Sequence, residues 1–208
     1  MSAKNFRPRR FDLIAFDWDG TLCDSRENIY AINLYMARYY GKAERLPSFE
    51  DWLQDAHPGV VACMRFLGVE DDPVHINRFF HRLLVEQREK GLRNPLYPDV
   101  HEFLSWFKKR DIPMILISRH LHEHLLLDVE SHGLTHFFDH IMGEPEGEEL
   151  SKDVEIRRFC FSDQYSVVRK HTFYLGDTVH DMVAAKQARV MPIAVAHGYD
   201  PRQIGRAS

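Results

Sequence analysis

The sequence predicts an α/β protein in which an all-helical domain is inserted into a Rossmann-like core of parallel strands. Three observations predict this fold. A short apolar run near the start ends in two carboxylates, and residues 25–92 then show helical periodicity with no strand-like run. From Pro98 onwards, helices alternate with apolar strands. Strands that alternate with helices favour a parallel sheet covered on both faces.

The first predicted strand runs from Phe11 to Ala15, a short apolar run bounded by charged residues. It leads into Asp17-Trp18-Asp19-Gly20-Thr21. Two carboxylates one residue apart repel each other unless a cation or a proton lies between them. Gly20 allows a sharp turn, because glycine adopts positive φ without a Cβ clash. Taken alone, the same residues are also compatible with a solvated turn, since Asp and Gly favour turns in any protein.

Residues 24–94 are expected to form a separate helical domain, inserted between core segments 1–23 and 95–208. Apolar residues recur there at intervals of three and four, and Gly or Pro separates the runs. The predicted helices are Ser25 to Gly41, Ser48 to His57, Val60 to Leu67 and Pro73 to Gly91. This block therefore predicts a small unit with its own core.

The second half of the chain supplies the rest of the predicted sheet. The expected strands are Ile112 to Ile117, Phe137 to Met142, His171 to Leu175 and Met191 to Ala196. The expected helices begin at Val100, Leu121, Ser151 and Thr178. In a parallel sheet the ligand site lies beyond the carboxyl ends of the strands. Four polar side chains follow strand ends and should meet there: Asp17, Asp19, Ser118 and Asp177.

Composition narrows the possible function classes. A formal net charge of −4 on 208 residues argues against a dedicated nucleic-acid binder. The three cysteines are odd in number and far apart, which fits a reducing compartment. No long apolar run and no leader pattern marks membrane insertion or secretion. We expect a cytoplasmic protein, monomeric or homodimeric, without membrane or nucleic-acid partners.

These motifs together resemble the phosphatases of the haloacid dehalogenase-like hydrolase superfamily over nearly the whole chain. The resemblance rests on residues 17–21, Ser118 after an apolar strand, Lys152, and Gly176-Asp177-Thr178-Val179-His180-Asp181. The helical insert and the segment Tyr97 to Gly143 are similar to the phosphoglycolate phosphatase-like branch, whose inserted helices form a cap domain. The resemblance implies Mg²⁺-dependent hydrolysis of a small phosphorylated metabolite, phosphoglycolate-like or a sugar phosphate, through an aspartyl-phosphate.

The resemblance also implies a role for each motif residue. Asp17 would be the nucleophile, and Asp19 the general acid and base, with a pKa raised towards neutrality by its neighbours. Ser118 and Lys152 would contact the transferring phosphoryl group. The metal ligands would be Asp17, Asp177 and the main-chain carbonyl of Asp19, a set of oxygen donors that suits Mg²⁺. Asp181 would orient metal-bound water or Lys152. The expected substrate-binding residues are Gly20, Thr21 and Arg119 in the core, and His57, Gly59 and Arg65 in the cap.

Simpler explanations exist for several of these residues. Ser118 could be an ordinary turn residue and Lys152 a solvated side chain, in which case Lys170 or Arg157 would be the alternative cation. The cluster His120, His122 and His124 suggests zinc, but a partner with suitable spacing is absent from the sequence. We interpret that cluster as a solvated helix face.

Rival functions remain open at this point. A phosphosugar mutase shares all the motifs, and a catalytically inactive interaction module could use the same fold. A dehalogenase or phosphonatase would lack Asp19. The sequence also departs from the family pattern, with Asp153 where proline is common and Arg119 where asparagine is usual. We expect the cap to move as a lid on linkers at Asp24 and Asn94-Pro95 and to select the substrate.

Overall fold

The computed structural model describes residues 12–54, 59–145, 150–160 and 171–199. Five strands alternate with helices along these residues. The strands are β1 Leu13–Phe16, β2 Met114–Leu121, β3 His140–Glu144, β4 Thr172–Gly176 and β5 Met191–Ala194. The helices are α1 Arg26–Tyr39, α2 Phe49–Gln54, α3 Val60–Phe66, α4 Pro73–Glu89, α5 Val100–Lys108, α6 His122–Ser131, α7 Lys152–Cys160 and α8 Val179–Ala188. Short 3₁₀ turns occur at Ala43–Arg45 and Thr135–Phe137.

The strands form one parallel sheet in the order β3-β2-β1-β4-β5. The central strand β1 pairs with β2 on one side, where Ile14 lies opposite Met114, and with β4 on the other, where Leu13 lies opposite Thr172. The carboxyl ends of β1, β2 and β4 are therefore neighbours. This arrangement brings Asp17, which follows β1, to the middle of the functional edge of the sheet.

Both faces of the sheet are covered by helices, as the long apolar strands predict. Ile14 and Phe16 point to one face, where the sheet packs against α5 and α6. Leu13 and Ala15 point to the other face, where it packs against α7 and α8. The alternation follows from the two-residue period of a strand. The predicted Rossmann-like α/β core is confirmed.

Helices α1 to α4 form the inserted helical unit, called the cap from here on. Ile32, Met36, Met64 and Ile76 are buried in a hydrophobic cluster of their own. Helix α4 begins as the sequence predicts, because Pro73 is its first residue and the Asp72 carboxylate accepts a 2.7 Å hydrogen bond from the backbone N–H of Val74. Within the described ranges, none of the helices is both long enough and apolar enough to cross a lipid bilayer.

The two linkers between the core and the cap lie side by side. The backbone N–H of Asp24 donates to the Pro95 carbonyl at 2.8 Å, and that of Tyr97 donates to the Leu22 carbonyl at 3.0 Å. These two hydrogen bonds hold the linkers together where the chain enters and leaves the helical unit. They are compatible with domain limits near residues 24 and 95, and that division stays a prediction.

Strand β2 is longer than the sequence predicts. It was expected to end at Ser118, with a helix starting at Leu121, but it continues to Leu121, which pairs with Glu144. Pairing with β3 is irregular between Ile117 and Leu121. The polar residues after Ile117 resemble a loop in sequence. They nevertheless belong to the strand, because β2 pairs with β3 again at Leu121.

Candidate active site

The loop after β1 turns tightly around the backbone of Trp18. The Trp18 carbonyl accepts hydrogen bonds from the N–H groups of the three residues Thr21, Leu22 and Cys23. Gly20 has φ +74°, and a Cβ atom there would collide with the Asp177 carboxylate. Only glycine can adopt this positive φ without strain and also leave room for the carboxylate. The prediction of a glycine-dependent turn after the carboxylate pair is confirmed, and the turn brings the Asp17 loop against the end of β4.

Lys152, the first residue of α7, places its ammonium group between two buried carboxylates. Its Nζ lies 2.9 Å from Asp17 Oδ1 and 2.7 Å from Asp181 Oδ1, and its side chain is only 10% exposed. Burial alone would lower the pKa of Lys152, but the two carboxylates outweigh burial and raise that pKa. Burial raises the pKa of Asp17 to about 7, although Lys152 acts in the opposite direction. One ammonium group is therefore too little positive charge for this cluster.

Asp177, directly after β4, is enclosed by backbone. Its Oδ2 accepts a 2.6 Å hydrogen bond from the N–H of Tyr199, and its Oδ1 accepts a long 3.5 Å bond from the Thr21 hydroxyl. A Cβ atom at Gly198 would collide with this carboxylate. Burial and then the neighbouring carboxylates raise the pKa of Asp177 well above its usual value. The site holds this carboxylate in place and is short of positive charge around it.

Asp181 caps helix α8 and supports Lys152. Its Oδ2 accepts hydrogen bonds from the Thr178 backbone N–H at 3.0 Å and from the Thr178 hydroxyl at 2.6 Å, in a capping box. Its Oδ1 accepts from the Tyr174 hydroxyl at 3.2 Å and from Lys152. Burial would raise the pKa of Asp181, but Lys152 and the hydrogen bonds outweigh it and lower that pKa. Asp181 is thus a fixed, ionised group that orients the lysine.

The residues present fit a divalent cation. Asp17, Asp177 and Asp181 each offer a carboxylate oxygen, and these atoms lie within 4.8 Å of one another. Buried carboxylate oxygens suit hard cations such as Mg²⁺. The raised pKa values of Asp17 and Asp177 are the expected result when acidic groups meet without enough countercharge. A divalent cation would supply that charge.

Asp19 lies beside a histidine that the sequence did not assign to the site. Its Oδ2 lies 3.2 Å from His120 Nδ1. Burial would raise the pKa of Asp19, but the hydrogen bond and charge of His120 outweigh it and hold that pKa below its usual value. The prediction that neighbours raise the pKa of Asp19 is therefore wrong. The neighbour is a histidine, whose hydrogen bond and positive charge favour the ionised carboxylate, and not a second carboxylate.

The histidine cluster does not form a solvated helix face, and that prediction is wrong as well. His120 belongs to β2, and its side chain is only 7% exposed. His122 Nδ1 accepts a 3.2 Å hydrogen bond from the Gly143 backbone N–H. His122 thus faces away from His120 and His124, whose ring centroids lie 6.3 Å apart. Within the described part of the chain these histidines form no metal-binding group. The signal that could have identified His120 is its position two residues after Ser118, on the same face of an extended strand.

The remaining predicted residues differ in where they lie. Ser118 is buried at the functional edge, and its Oγ accepts a 3.1 Å hydrogen bond from the His120 N–H. Arg119 is exposed, and its Nη2 would lie 3.5 Å from a Cβ atom at Gly59, at the start of α3. Arg65 is exposed at the other end of α3, where it donates to the Val69 carbonyl at 2.9 Å. Arg119 and Gly59 are thus brought together, whereas the contact of Arg65 lies within the cap.

Three further predictions have simple outcomes. His57 and Lys170 lie outside the described residues. Arg157 pairs with Asp153 in its own helix, so it does not replace Lys152 as the cation near Asp17.

Comparison with known proteins identifies the family of this chain. The family model for haloacid dehalogenase-like hydrolases matches residues 14–195. The chain belongs to this family. It is 26% identical over 194 residues to a phosphoglycolate phosphatase of Pseudomonas fluorescens, covering 90% of this chain and 70% of that one. It is also 26% identical over 192 residues to the pyrophosphatase PpaX of Bacillus velezensis, covering 90% and 84%. These relatives support the phosphoglycolate phosphatase-like branch and the assignment of this hydrolase as a phosphatase.

Solved structures of the same fold agree with this architecture. A predicted phosphatase from Clostridium acetobutylicum superposes with a TM-score of 0.81 at 18% identity, covering 96% of this chain and 91% of that one. A predicted phosphoglycolate phosphatase from Haemophilus somnus gives 0.77 at 19% identity, covering 95% and 91%. At such identities the likeness concerns the fold alone.

Proposed function

We propose that this phosphatase hydrolyses phosphate monoesters with Mg²⁺ and through an aspartyl-phosphate on Asp17. The observation that carries the proposal is the position of Asp17. Its carboxylate lies at the end of the central strand, 2.9 Å from the Lys152 ammonium group and beside two further buried carboxylates. A nucleophilic carboxylate can approach an anionic phosphate only where positive charge offsets their repulsion.

In the first half-reaction the Asp17 carboxylate attacks phosphorus. An O–P bond forms to Asp17 while the bond from phosphorus to the leaving oxygen breaks. Asp19, in its protonated form, gives a proton to that oxygen, so that an alcohol departs and not an alkoxide. Because His120 lowers the pKa of Asp19, only the protonated fraction of the protein carries out this step. Lys152 and the buried Ser118 hydroxyl bind the transferring phosphoryl oxygens, and the electron pair of the broken bond stays on the leaving oxygen.

In the second half-reaction water cleaves the aspartyl-phosphate. The Asp19 carboxylate takes a proton from the water as its oxygen bonds to phosphorus. The bond from phosphorus to Asp17 breaks, which restores the Asp17 carboxylate and releases inorganic phosphate. Asp181 keeps Lys152 in place through both steps, because their 2.7 Å contact is buried.

Asp17, Asp177 and the main-chain carbonyl of Asp19 would hold the Mg²⁺. When bound, the ion neutralises negative charge between the nucleophile and the phosphate. Asp181 is less available as a ligand because, among the described residues, each of its oxygens accepts two hydrogen bonds, whereas Asp177 Oδ1 accepts only one long bond of 3.5 Å. The contribution of the chain is a rigid, dry set of oxygen donors, with Asp177 fixed by the Tyr199 backbone.

The proposed substrate is a small phosphorylated metabolite, phosphoglycolate-like or a sugar phosphate. Two observations support a small anionic substrate. Several relatives are named phosphoglycolate phosphatases, and the guanidinium of Arg119, which follows Ser118, lies beside Gly59 of the cap. Closure of the cap on its paired linkers would exclude water from the first half-reaction. The buried, free Cys23 and Cys63 are compatible with the expected cytoplasmic location.

Release of p-nitrophenol and inorganic phosphate from p-nitrophenyl phosphate, with and without Mg²⁺, tests this function. We expect turnover that EDTA abolishes and Mg²⁺ restores, and none from Asp17→Asn. A panel of phosphorylated metabolites then identifies the substrate. Absence of turnover in the intact chain would favour the inactive module. Isomerised sugar phosphate without released phosphate would instead favour the mutase. Substantial activity of Asp17→Asn would refute the assignment of the nucleophile.

A further inference from the structure

We infer that His120, Asp128 and Arg88 are positioning residues that connect the general acid and base, Asp19, to the cap. This inference rests on the proposed role of Asp19 and extends it. The three residues form a continuous series of charged contacts that crosses from the core to the cap. The sequence gives no hint of it, because its members are far apart in the chain.

Each contact in the series is explicit. His120 Nδ1 lies within hydrogen-bond distance of Asp19 Oδ2, at 3.2 Å, whereas its other ring nitrogen, Nε2, lies 3.4 Å from Asp128 Oδ2 in a charge contact without a hydrogen bond. The second oxygen of that carboxylate, Asp128 Oδ1, accepts a 2.6 Å hydrogen bond from Arg88 Nη2. The same nitrogen of Arg88 also donates to the His124 carbonyl at 3.0 Å. The two oxygens of Asp128 thus face different partners, and fixing one fixes the other.

The series lies in a shielded part of the molecule. The side chain of His120 is 7% exposed, and those of Asp128 and Arg88 are 23% and 26% exposed. Hydrogen bonds between ionised groups are stronger and more directional when water is partly excluded. An exposed arginine on the same helix differs clearly, since Arg82 is 66% exposed and lies 3.9 Å from Glu86.

Its two ends lie in different domains. Asp19 follows β1, while His120 and Asp128 belong to β2 and α6 of the core. Arg88 is the penultimate residue of α4, just before the chain returns from the cap to the core. Rotation of the cap therefore moves Arg88 relative to Asp128. When Arg88 is docked, it fixes Asp128, and Asp128 in turn fixes the ring of His120 against Asp19.

The chemical consequence concerns the leaving group. An oriented Asp19 matters most when the departing oxygen needs a proton, as in an alkyl phosphate. It matters little for p-nitrophenyl phosphate, whose phenolate leaves readily without one. Disruption at Arg88 should therefore slow the first half-reaction selectively for alkyl phosphates, although Arg88 is remote from the phosphoryl group. A residue that only stabilises the fold would affect both kinds of ester alike.

The test compares Arg88→Met and Asp128→Asn with the control Arg82→Met, using the full chain with Mg²⁺. The rate of phosphoryl transfer to Asp17 is measured in a single turnover on 2-phosphoglycolate, glycerol 2-phosphate and p-nitrophenyl phosphate, because the second half-reaction also uses Asp19 and is common to all esters. General acid catalysis typically contributes about 10²–10⁴-fold, so impaired orientation should slow phosphoryl transfer from the alkyl esters by about tenfold or more. We expect KM and the aryl rate to change little, and Arg82→Met to behave as the unaltered chain. The double variant Arg88→Met/Asp128→Asn should be no worse than the poorer single variant, because both act through one series.

Asp19→Asn separates failure of this inference from failure of the proposed function. If Asp19→Asn slows phosphoryl transfer to Asp17 equally from alkyl and aryl esters, the role of Asp19 as the acid is wrong. If Asp19→Asn discriminates between the esters while Arg88→Met and Asp128→Asn do not, the inference alone is overturned. Equal losses on all esters, together with a lower Tm, would also overturn it and assign a structural role. Should Asp128→Asn fail to fold, Arg88→Met decides the matter, because it changes a partly exposed side chain.

Discussion

Removal of the Lys152 charge should destabilise the protein in a pH-dependent way and inactivate it. In Lys152→Met the ammonium group between Asp17 and Asp181 is replaced by an apolar chain of similar length. At 2.9 Å and an effective dielectric constant of about 20, the attraction to Asp17 is about 6 kcal/mol before desolvation is subtracted. Loss of one partner from a buried ion pair costs about 3–5 kcal/mol net. We expect a loss in this range for the free energy of unfolding above about pH 7.

The pH dependence follows from the carboxylates left behind. Lys152 lowers the pKa of Asp17, so its removal must raise that pKa further above about 7. A carboxyl group whose pKa is higher in the folded than in the unfolded state favours folding when protonated. Its contribution is present below the unfolded pKa and is lost as pH rises through the folded pKa. The destabilisation should therefore be small near pH 5 and full near pH 8. Protonated Asp17 cannot attack phosphorus, so turnover at neutral pH should also be lost.

Urea unfolding at several pH values measures the first effect, and p-nitrophenyl phosphate turnover measures the second. Lys108→Met, an exposed change in α5, is the matched control and should alter stability by less than about 0.5 kcal/mol. A Lys152→Met variant as stable as this control at high pH would refute the account of the buried cluster. Retained turnover in that variant would refute the proposed role of Lys152.

Three further changes test other parts of the account. Gly20→Ala should lower stability by more than about 2 kcal/mol in urea unfolding, because φ is +74° and the new Cβ meets the Asp177 carboxylate; an unaltered midpoint would contradict this geometry. Mg²⁺ should raise Tm more near pH 8 than near pH 5.5, since protons compete with the ion for carboxylates whose pKa is raised. Asp177→Asn should lose this rise in Tm. A pH-independent rise that persists in Asp177→Asn would exclude Asp177 as a ligand. Burial and the charges of nearby histidines lower the pKa of half-buried His81 to about 4. The neutral His81 therefore contributes to the free energy of unfolding above about pH 6.5, and this contribution is lost as pH falls through about 4. After discounting for solvent exposure, the contribution of His81 is about 1–2 kcal/mol. His81→Phe should flatten the plot of stability against pH between about pH 4 and 6.5. An unchanged plot would contradict the lowered pKa of His81.

The sequence was sufficient for the fold and for where the carboxylates meet. Asp17 and Asp177 each follow a short, fully buried strand, and these strands are parallel neighbours in the sheet. Gly20 marks the turn between them, because its backbone conformation excludes other residues. These signals are local, so they can be read without knowing the rest of the structure. The all-helical insert is equally local, since helical periodicity extends through residues 25–92.

The surroundings of Asp19 could not be predicted in this way. His120 reaches it only because β2 continues past Ser118, and the polar residues there resemble a loop in the sequence. The contact between Arg88 and Asp128 joins two helices 40 positions apart along the chain. The pKa of Asp19 depends on these long-range neighbours, and the motif alone led to the opposite direction.

Substrate selection is the other part that the sequence left open. Arg65 and Gly59 lie on one short helix, yet Gly59 faces Arg119 while Arg65 contacts the Val69 carbonyl at the far end. A helix rises about 1.5 Å per residue, so these two positions differ by about 9 Å along its axis. Sequence proximity therefore does not establish which cap residue meets the substrate.

Trapping the covalent intermediate tests the central claim most directly. In Asp19→Asn, p-nitrophenyl phosphate should still phosphorylate the nucleophile, because its leaving group needs little protonation, whereas hydrolysis of the aspartyl-phosphate should be slow. Rapid acid quenching and peptide mass spectrometry should then find one added phosphoryl group, on Asp17. The same experiment on Asp17→Asn should find none. A turnover-competent protein whose phosphoryl group appears on another residue would contradict the account.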